Sequence, residues 1–305
     1  MSLNVMFSVM ATPTAKSLIL DLLSTLRGGA MPVRALVEAA RLFAIEENNL
    51  RVSLARLCAA GVLERDERGL YRIGAPAAAV ERQVTSWRRI EDRVCEWSGG
   101  WVAAQGGHSG SSRSSGSPRG AAGRRSAQAL RFLGFRALEG SLMLRPDNLK
   151  GGVAQVRDKL LTLGLVEGVA VFGVRDLDAE REEKARGLWD TDALLARYAR
   201  HSAEIAASQK RLSSLPPEQA MVESFLLGGG VLRQLVLDPL LPEPILPAAP
   251  RRELLLAMRD YDRVGRAAWA DFLRGHGVVH LQAPADLRLG ETQRLFSAND
   301  TGASA

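Results

Sequence analysis

The chain has 305 residues, 46% hydrophobic and 24% charged, an ordinary globular composition too long for one compact core, so two or three domains are expected. Two cysteines, Cys58 and Cys95, exclude a disulfide framework or a cysteine metal cluster and fit a reduced cytoplasm. The net charge of +6 is uneven: residues 1–145 hold 20 Lys/Arg against 12 Asp/Glu (+8), and residues 146–305 hold 20 against 22 (−2). A basic N-terminal half points to a polyanionic partner for that half.

Residues 1–13 show no periodicity. A first helix is predicted from Thr14, capped by Thr14 or Ser17, with Leu18, Leu22, Leu23 and Leu26 as its buried stripe and Gly28-Gly29 as its stop. Met31 to Val33 suit a short strand, Val33 to Leu42 a second helix, and Phe43-Ala44-Ile45 a turn with Ile45 as a buried plug. A third helix over 47–60 repeats apolar residues at Leu50, Leu54, Leu57 and Cys58, spaced i, i+4, i+7, i+8, so one stripe faces a core. At 100° per residue the opposite face presents Asn49, Val52 and Arg56, with Asn48 and Ser53 on its flanks. Those side chains suit base edges and phosphates in a major groove. Gly61 ends the helix. Then Val62 to Arg65, a polar turn from Asp66 to Gly69, and Leu70 to Ile73 alternate as two short strands carrying basic residues. Three helices and a hairpin in this order form a winged helix-turn-helix over 14–76.

Beyond Pro76, apolar spacing at Val80, Val84, Trp87, Ile90 and Val94 predicts a connector helix over 78–96. The Gly/Ser-rich segment 106–123 reads as a disordered insertion within a domain. Around it the expected order is a strand at Trp101-Val102-Ala103, a helix over 126–133, a glycine-broken strand over 136–144, a helix over 149–163 and a strand over 168–174. This β-α-β-α-β series suggests a ferredoxin-like α+β domain over 77–178. From residue 179 to 296 the chain is predicted helical, with helices over 185–212, 217–235 and 251–275 and a Pro-rich turn over 238–250. The fold class is therefore multidomain α+β.

Catalytic signals are missing. No serine sits in a G-x-S-x-G elbow, and Gly228-Gly229-Gly230 lacks the Lys-Ser/Thr of a phosphate-binding loop, so it breaks a helix or lets two helices pack closely. His108, His201, His276 and His280 show no metal-ligand set; His276 and His280 are at i, i+4, but Gly277 lies between them. Neither metal nor cofactor is expected. Five tryptophans (Trp87, Trp97, Trp101, Trp189 and Trp269) with Arg88, Arg89 and Arg93 either pack at domain junctions or line a cavity for an aromatic, phosphate-bearing ligand. No run reaches the ~20 apolar residues of a membrane span, and the N-terminus lacks the pattern of a signal peptide. A soluble cytoplasmic protein with no membrane partner is expected.

The chain resembles the PaaX family, repressors of phenylacetic-acid degradation operons. The resemblance runs from Ser17 to about Leu273 and rests on NNLRVSLARLCAAGVLER (48–65), EWSGGW (96–101), LRFLGFRALEGSLMLRPDNL (130–149), RGLWDTDALLARY (186–198) and LRQLVLDPLLPEPILP (232–247), in that order. It implies a winged helix-turn-helix, a central Cas2-like ferredoxin-like domain and a helical C-terminal domain. It further implies a homodimeric repressor on a double-stranded DNA operator, relieved by an aryl-acetyl-CoA effector. Carried onto this sequence, the reading helix is 47–60, with Asn49, Arg51, Ser53 and Arg56 as contacts and Arg65, Arg68 and Arg72 on the wing. It supplies no effector-binding residues. Two rival functions are a winged-helix protein–protein adaptor and a Cas2-like metal-dependent nuclease; the nuclease needs a carboxylate at the first central strand, and 101–107 has none.

Overall fold

The computed structural model describes residues 13–26, 29–75, 86–106 and 121–278. In chain order the described elements begin with α1 (Ala15–Thr25), β1 (Met31–Pro32), α2 (Val33–Leu42), α3 (Glu47–Ala59), β2 (Leu63–Arg65) and β3 (Leu70–Ile73). Thr14 caps α1 by accepting from Ser17 N at 3.1 Å, which satisfies one of the donors a helix start leaves open. Leu18, Leu22, Leu23 and Leu26 are buried, as their spacing requires. Past α3, Gly61 takes φ +67°, the left-handed turn a helix end needs and glycine adopts without strain. Strands β1, β3 and β2 form one antiparallel sheet, with Met31 opposite Tyr71 and Leu63 opposite Ile73. The winged helix-turn-helix order is thus present, with α3 ending within one residue of the expected boundary.

Over the described residues 86–96 the predicted connector helix does not form. Its first part, with Val80 and Val84, lies outside the described residues. The rest is two 3-10 turns, Ser86–Arg89 and Glu91–Arg93, followed by extended chain from Val94. Trp87 and Ile90 are buried as expected, but a spacing of three satisfies a 3-10 turn as well as an α-helix. Val94 then bridges antiparallel to Leu149, with Cys95 N donating to Asn148 O at 2.9 Å. That pairing draws the backbone out of the helix.

A second sheet is built from β4 (Trp101–Gly106), β5 (Arg136–Glu139), β6 (Leu142–Pro146) and β7 (Val169–Val174), in the order β5-β6-β4-β7. Its helices are α4 (Ala121–Phe132) and α5 (Gly152–Thr162). The single glycine-broken strand expected over 136–144 is in fact a hairpin, because Gly140 at φ +53° reverses the chain. The series becomes β-α-β-β-α-β, fully antiparallel, which is the ferredoxin-like arrangement. Strand β4 runs in the middle, paired on both sides, and Trp101 to Ala104 are all buried. Most of the Gly/Ser segment lies outside the described residues; Gly106 closes β4 and Ala121 opens α4.

The C-terminal part comprises α6 (Ala179–Arg186), α7 (Thr191–Leu212), α8 (Pro217–Val236) and α9 (Ala249–Gly275). The expected helix over 185–212 is split, since Asp190 caps a fresh start by accepting from Ala193 N at 2.9 Å. Gly228 to Gly230 do not break α8. Gly228 faces Met258 and Tyr261 of α9, the close-packing alternative. Trp97 packs edge-on to Trp101 with ring centroids 5.2 Å apart, and Trp101 stacks on Trp189 at 6.2 Å. Their indole N–H groups donate to Gly100 O, Glu182 Oε2 and Gly134 O respectively. Arg88, whose guanidinium lies over Trp87, pairs with Asp262. These contacts fit the junction-packing reading of the tryptophans.

Among the described residues two hydrophobic cores form, and α9 enters both. Leu254, Leu255, Met258 and Tyr261 belong to the core of the second sheet and the C-terminal helices. Trp269 and Leu273, two to three turns on, join Met221 of α8 in the core of the winged helix. Trp269 Nε1 donates to Met221 O at 3.1 Å, and Phe225 rests against Phe43 at 5.1 Å.

Candidate nucleic-acid interface

Helix α3 is seated by three leucines: Leu50, Leu54 and Leu57 are buried against α1 and α2, while Cys58 is half-buried at the edge. Each fully buried leucine contributes about 1.5–3 kcal/mol. That anchorage fixes the opposite face. Asn48, Asn49, Arg51, Val52 and Arg56 are exposed and Ser53 is half-buried. Val52 is 40% exposed, an apolar group set among amides and a guanidinium. Arg56 makes no ion pair or side-chain hydrogen bond among the described residues.

Arg51 differs. Its Nε donates to Glu47 Oε1 at 2.9 Å, one turn back, while Arg41 of α2 reaches Glu47 Oε2 at 3.3 Å. The hydrogen bond from Arg51 is the main cause holding the Glu47 carboxyl below the usual carboxylate value. All three side chains are solvent-exposed, so the pairs orient the arginines and add little stability. Glu47 also places negative charge in the first turn of α3, where the helix dipole favours it.

On the wing, Asp66 Oδ1 accepts from Arg68 N at 3.0 Å and Leu70 N at 2.8 Å, which shapes the turn. Arg72 pairs with Glu64 across the strands at 3.2 Å, and the Arg65 guanidinium lies 5.7 Å from the Tyr71 ring centre. Arg68 points from the turn without a side-chain partner among the described residues. Of the three wing arginines, two are therefore partly engaged within the protein and one is not.

Three further cations border this surface and were not singled out from the sequence. Lys16 shares a shallow depression with Asn49 and Ser53, between the start of α1 and α3. Arg34 lines another with Arg65, Arg68 and His276. Arg41 is the third, through Glu47. Helical periodicity puts each on an exposed face, but only the docking of α1 and α2 around α3 brings them beside it. His276, at the end of α9, also ties this region to the C-terminal helices, with Nε2 2.8 Å from Glu38 Oε2 of α2.

Residues 14–76 match the model of a family described as PaaX-like protein. The match is confined to the winged segment. That family is one of transcriptional regulators, and the likeness to it holds over this segment. None of the curated proteins matches the chain. Among solved structures, an uncharacterized protein of Mycobacterium tuberculosis, Rv0674, is similar over 84% of this chain and 98% of its own, with a TM-score of 0.53 and 23% identity; the likeness extends the shared fold well beyond the PaaX-like segment. Among the described residues no group of His, Cys, Asp and Glu side chains is placed to hold a metal ion, and no helix is long and apolar enough to cross a membrane. His280, the partner considered for His276, lies outside the described residues.

Proposed function

We propose that this chain is a sequence-specific DNA-binding regulator, a homodimeric repressor of an aromatic-acid operon that an aryl-acetyl-CoA effector releases. The observation that carries the reading is the exposed face of α3, where Asn49, Val52 and Arg56 stand clear of the core in a PaaX-like segment. With α3 in a major groove, Asn48 or Asn49 pairs with adenine, Arg56 with guanine N7 and O6, and Val52 packs on a thymine methyl. Each good bidentate pair is worth about 1–3 kcal/mol of discrimination. Arg51, Arg68 and the wing arginines Arg65 and Arg72 engage backbone phosphates, which fix register without reading sequence. Ser53, nearer the core edge, contacts the backbone.

In this reading residues 14–76 are the DNA reader, 77–178 a central Cas2-like domain and 179–296 a helical domain. A dimer places two α3 helices on half-sites about one helical turn apart, or a multiple of that. The effector favours a dimer whose α3 spacing no longer fits, a shift between two populated arrangements. The shared core supports such coupling: Met221, Trp269 and Leu273 pack into the same cluster as Leu50 and Leu54, so a displacement of α8 or α9 is felt beneath α3.

Fluorescence anisotropy with the gene's own upstream duplex and a scrambled duplex tests the proposal. Tight binding to the first, weakening as log salt rises with a slope of roughly −0.9 per phosphate contacted, is expected. Equal binding to both duplexes, or none to either, contradicts it; the latter outcome suits a protein–protein adaptor.

A further inference from the structure

The last turn of α9 reaches α2 through one polar side chain. His276 caps α9, its backbone N donating to Phe272 O at 3.3 Å and Leu273 O at 3.2 Å. Its ring lies between two oxygens: Nδ1 is 2.7 Å from Phe272 O, and Nε2 is 2.8 Å from Glu38 Oε2 of α2. A carbonyl and a carboxylate only accept hydrogen bonds. A neutral imidazole has one N–H, so either tautomer would set a bare nitrogen lone pair against an oxygen. Only the imidazolium, with both nitrogens protonated, satisfies both contacts. A protonated Glu38 would be the other solution, but its side chain is half exposed, and water favours the charged carboxylate.

Two further features favour the cation. A helix C-terminus carries partial negative charge, which stabilises a charged histidine there. The Phe272 ring centre is 4.4 Å from that of the imidazole, and an aromatic face is electronegative. The His276 side chain is 14% exposed, so water screens these contacts only in part. On its own helix the charged neighbours Asp271 and Arg274 pair with each other at 3.2 Å. Opposing the cation are Arg34 of α2, Arg65 of β2 and Arg68 of the wing turn, which line one depression with His276. All three are exposed, so water and salt weaken their repulsion, whereas Glu38 stands at hydrogen-bond distance.

We propose that His276 and Glu38 form a proton-operated latch between α9 and α2, closed when the imidazole holds both protons. Histidine changes its charge between about pH 5 and 8. Loss of one proton removes the ion pair and one of the two hydrogen bonds. The apolar contacts of Trp269, Leu273 and Val278 in the winged core remain, so the end of α9 loosens on α2 without leaving it. Proton concentration thereby sets how firmly the winged helix is held to the C-terminal helices.

The test is a double-mutant cycle of H276A and E38A in the full chain, read as Tm at about pH 5.5 and about pH 8.5, toward the two ends of the range in which histidine titrates. At the acid pH the double variant should lose less Tm than the sum of the single variants, by roughly 1–3 °C. At the alkaline pH that coupling should fall by more than half. The Tm gap between the parent and E38A, which alters an exposed helix position, should likewise be larger at the acid pH, whether or not H276A folds. Nitrogen spectra of the histidine-labelled parent give a second readout, the His276 signals being those missing from H276A. Both ring nitrogens should be protonated at the acid pH and only one at the alkaline pH. A coupling and an E38A gap that do not change with pH, no coupling at either pH, or a neutral ring at the acid pH overturns the latch. The protein is measured without DNA, so the outcome is independent of the DNA-reading proposal.

Discussion

Leu54 and Arg56 lie two positions apart on α3 and do opposite work. Leu54 is 1% exposed within the winged core, and L54A would leave a cavity under the helix at a cost of about 2–5 kcal/mol, read as a lower urea midpoint at unchanged slope. Arg56 faces solvent and carries no such penalty, so its loss should be visible only in binding. This division was legible from the stripe alone, because a 3.6-residue period fixes which side chains face inward once one leucine is placed. How far an exposed arginine is committed elsewhere was not legible. Arg51 is tied by Glu47 at i−4, a spacing open to inspection, but Arg41 joins through the packing of α2, and the Arg72–Glu64 pair depends on strand register.

At the scale of elements, boundaries followed the sequence wherever a local stop was chemically explicit. Thr14 opens α1, Pro217 sits in the first turn of α8, and Gly61 closes α3. G61A tests the last of these. A Cβ at φ +67° costs roughly 1–2 kcal/mol, although open space surrounds the position, so the variant should lower stability through backbone strain, measurable by thermal unfolding. The misread elements share a different origin. Residues 86–94 carry helix-compatible spacing, but pairing with Leu149 extends the chain. The 136–146 segment has the alternation of one long strand, and a single glycine folds it into a hairpin. The α6–α7 break turns on Asp190 acting as a cap, one polar residue in an otherwise continuous pattern. In each case a tertiary contact or a single turn residue outweighed a periodicity that was itself real.

Across the whole molecule, α9 is the organising piece. Its 27 residues span about 40 Å at 1.5 Å per residue, with one stretch in the core of the second sheet and its last turns in the core beneath α3. The His276–Glu38 contact closes that end onto α2. Such a rod links the core of the second sheet to the core beneath α3, a linkage that the order of sequence segments never displayed. The ferredoxin-like sheet was legible as a class, and its place beside the C-terminal helices was not.

The central claim is that α3 reads bases. The most direct measurement is the ratio of affinities for the gene's upstream duplex and a scrambled duplex, at one fixed salt concentration, for the parent, N49A and R56A. The account predicts that each variant loses about tenfold or more of that ratio, in line with ~1–3 kcal/mol per base contact, while keeping its unfolding temperature and its affinity for scrambled DNA nearly unchanged. A ratio that stays at the parent value in both variants would contradict it.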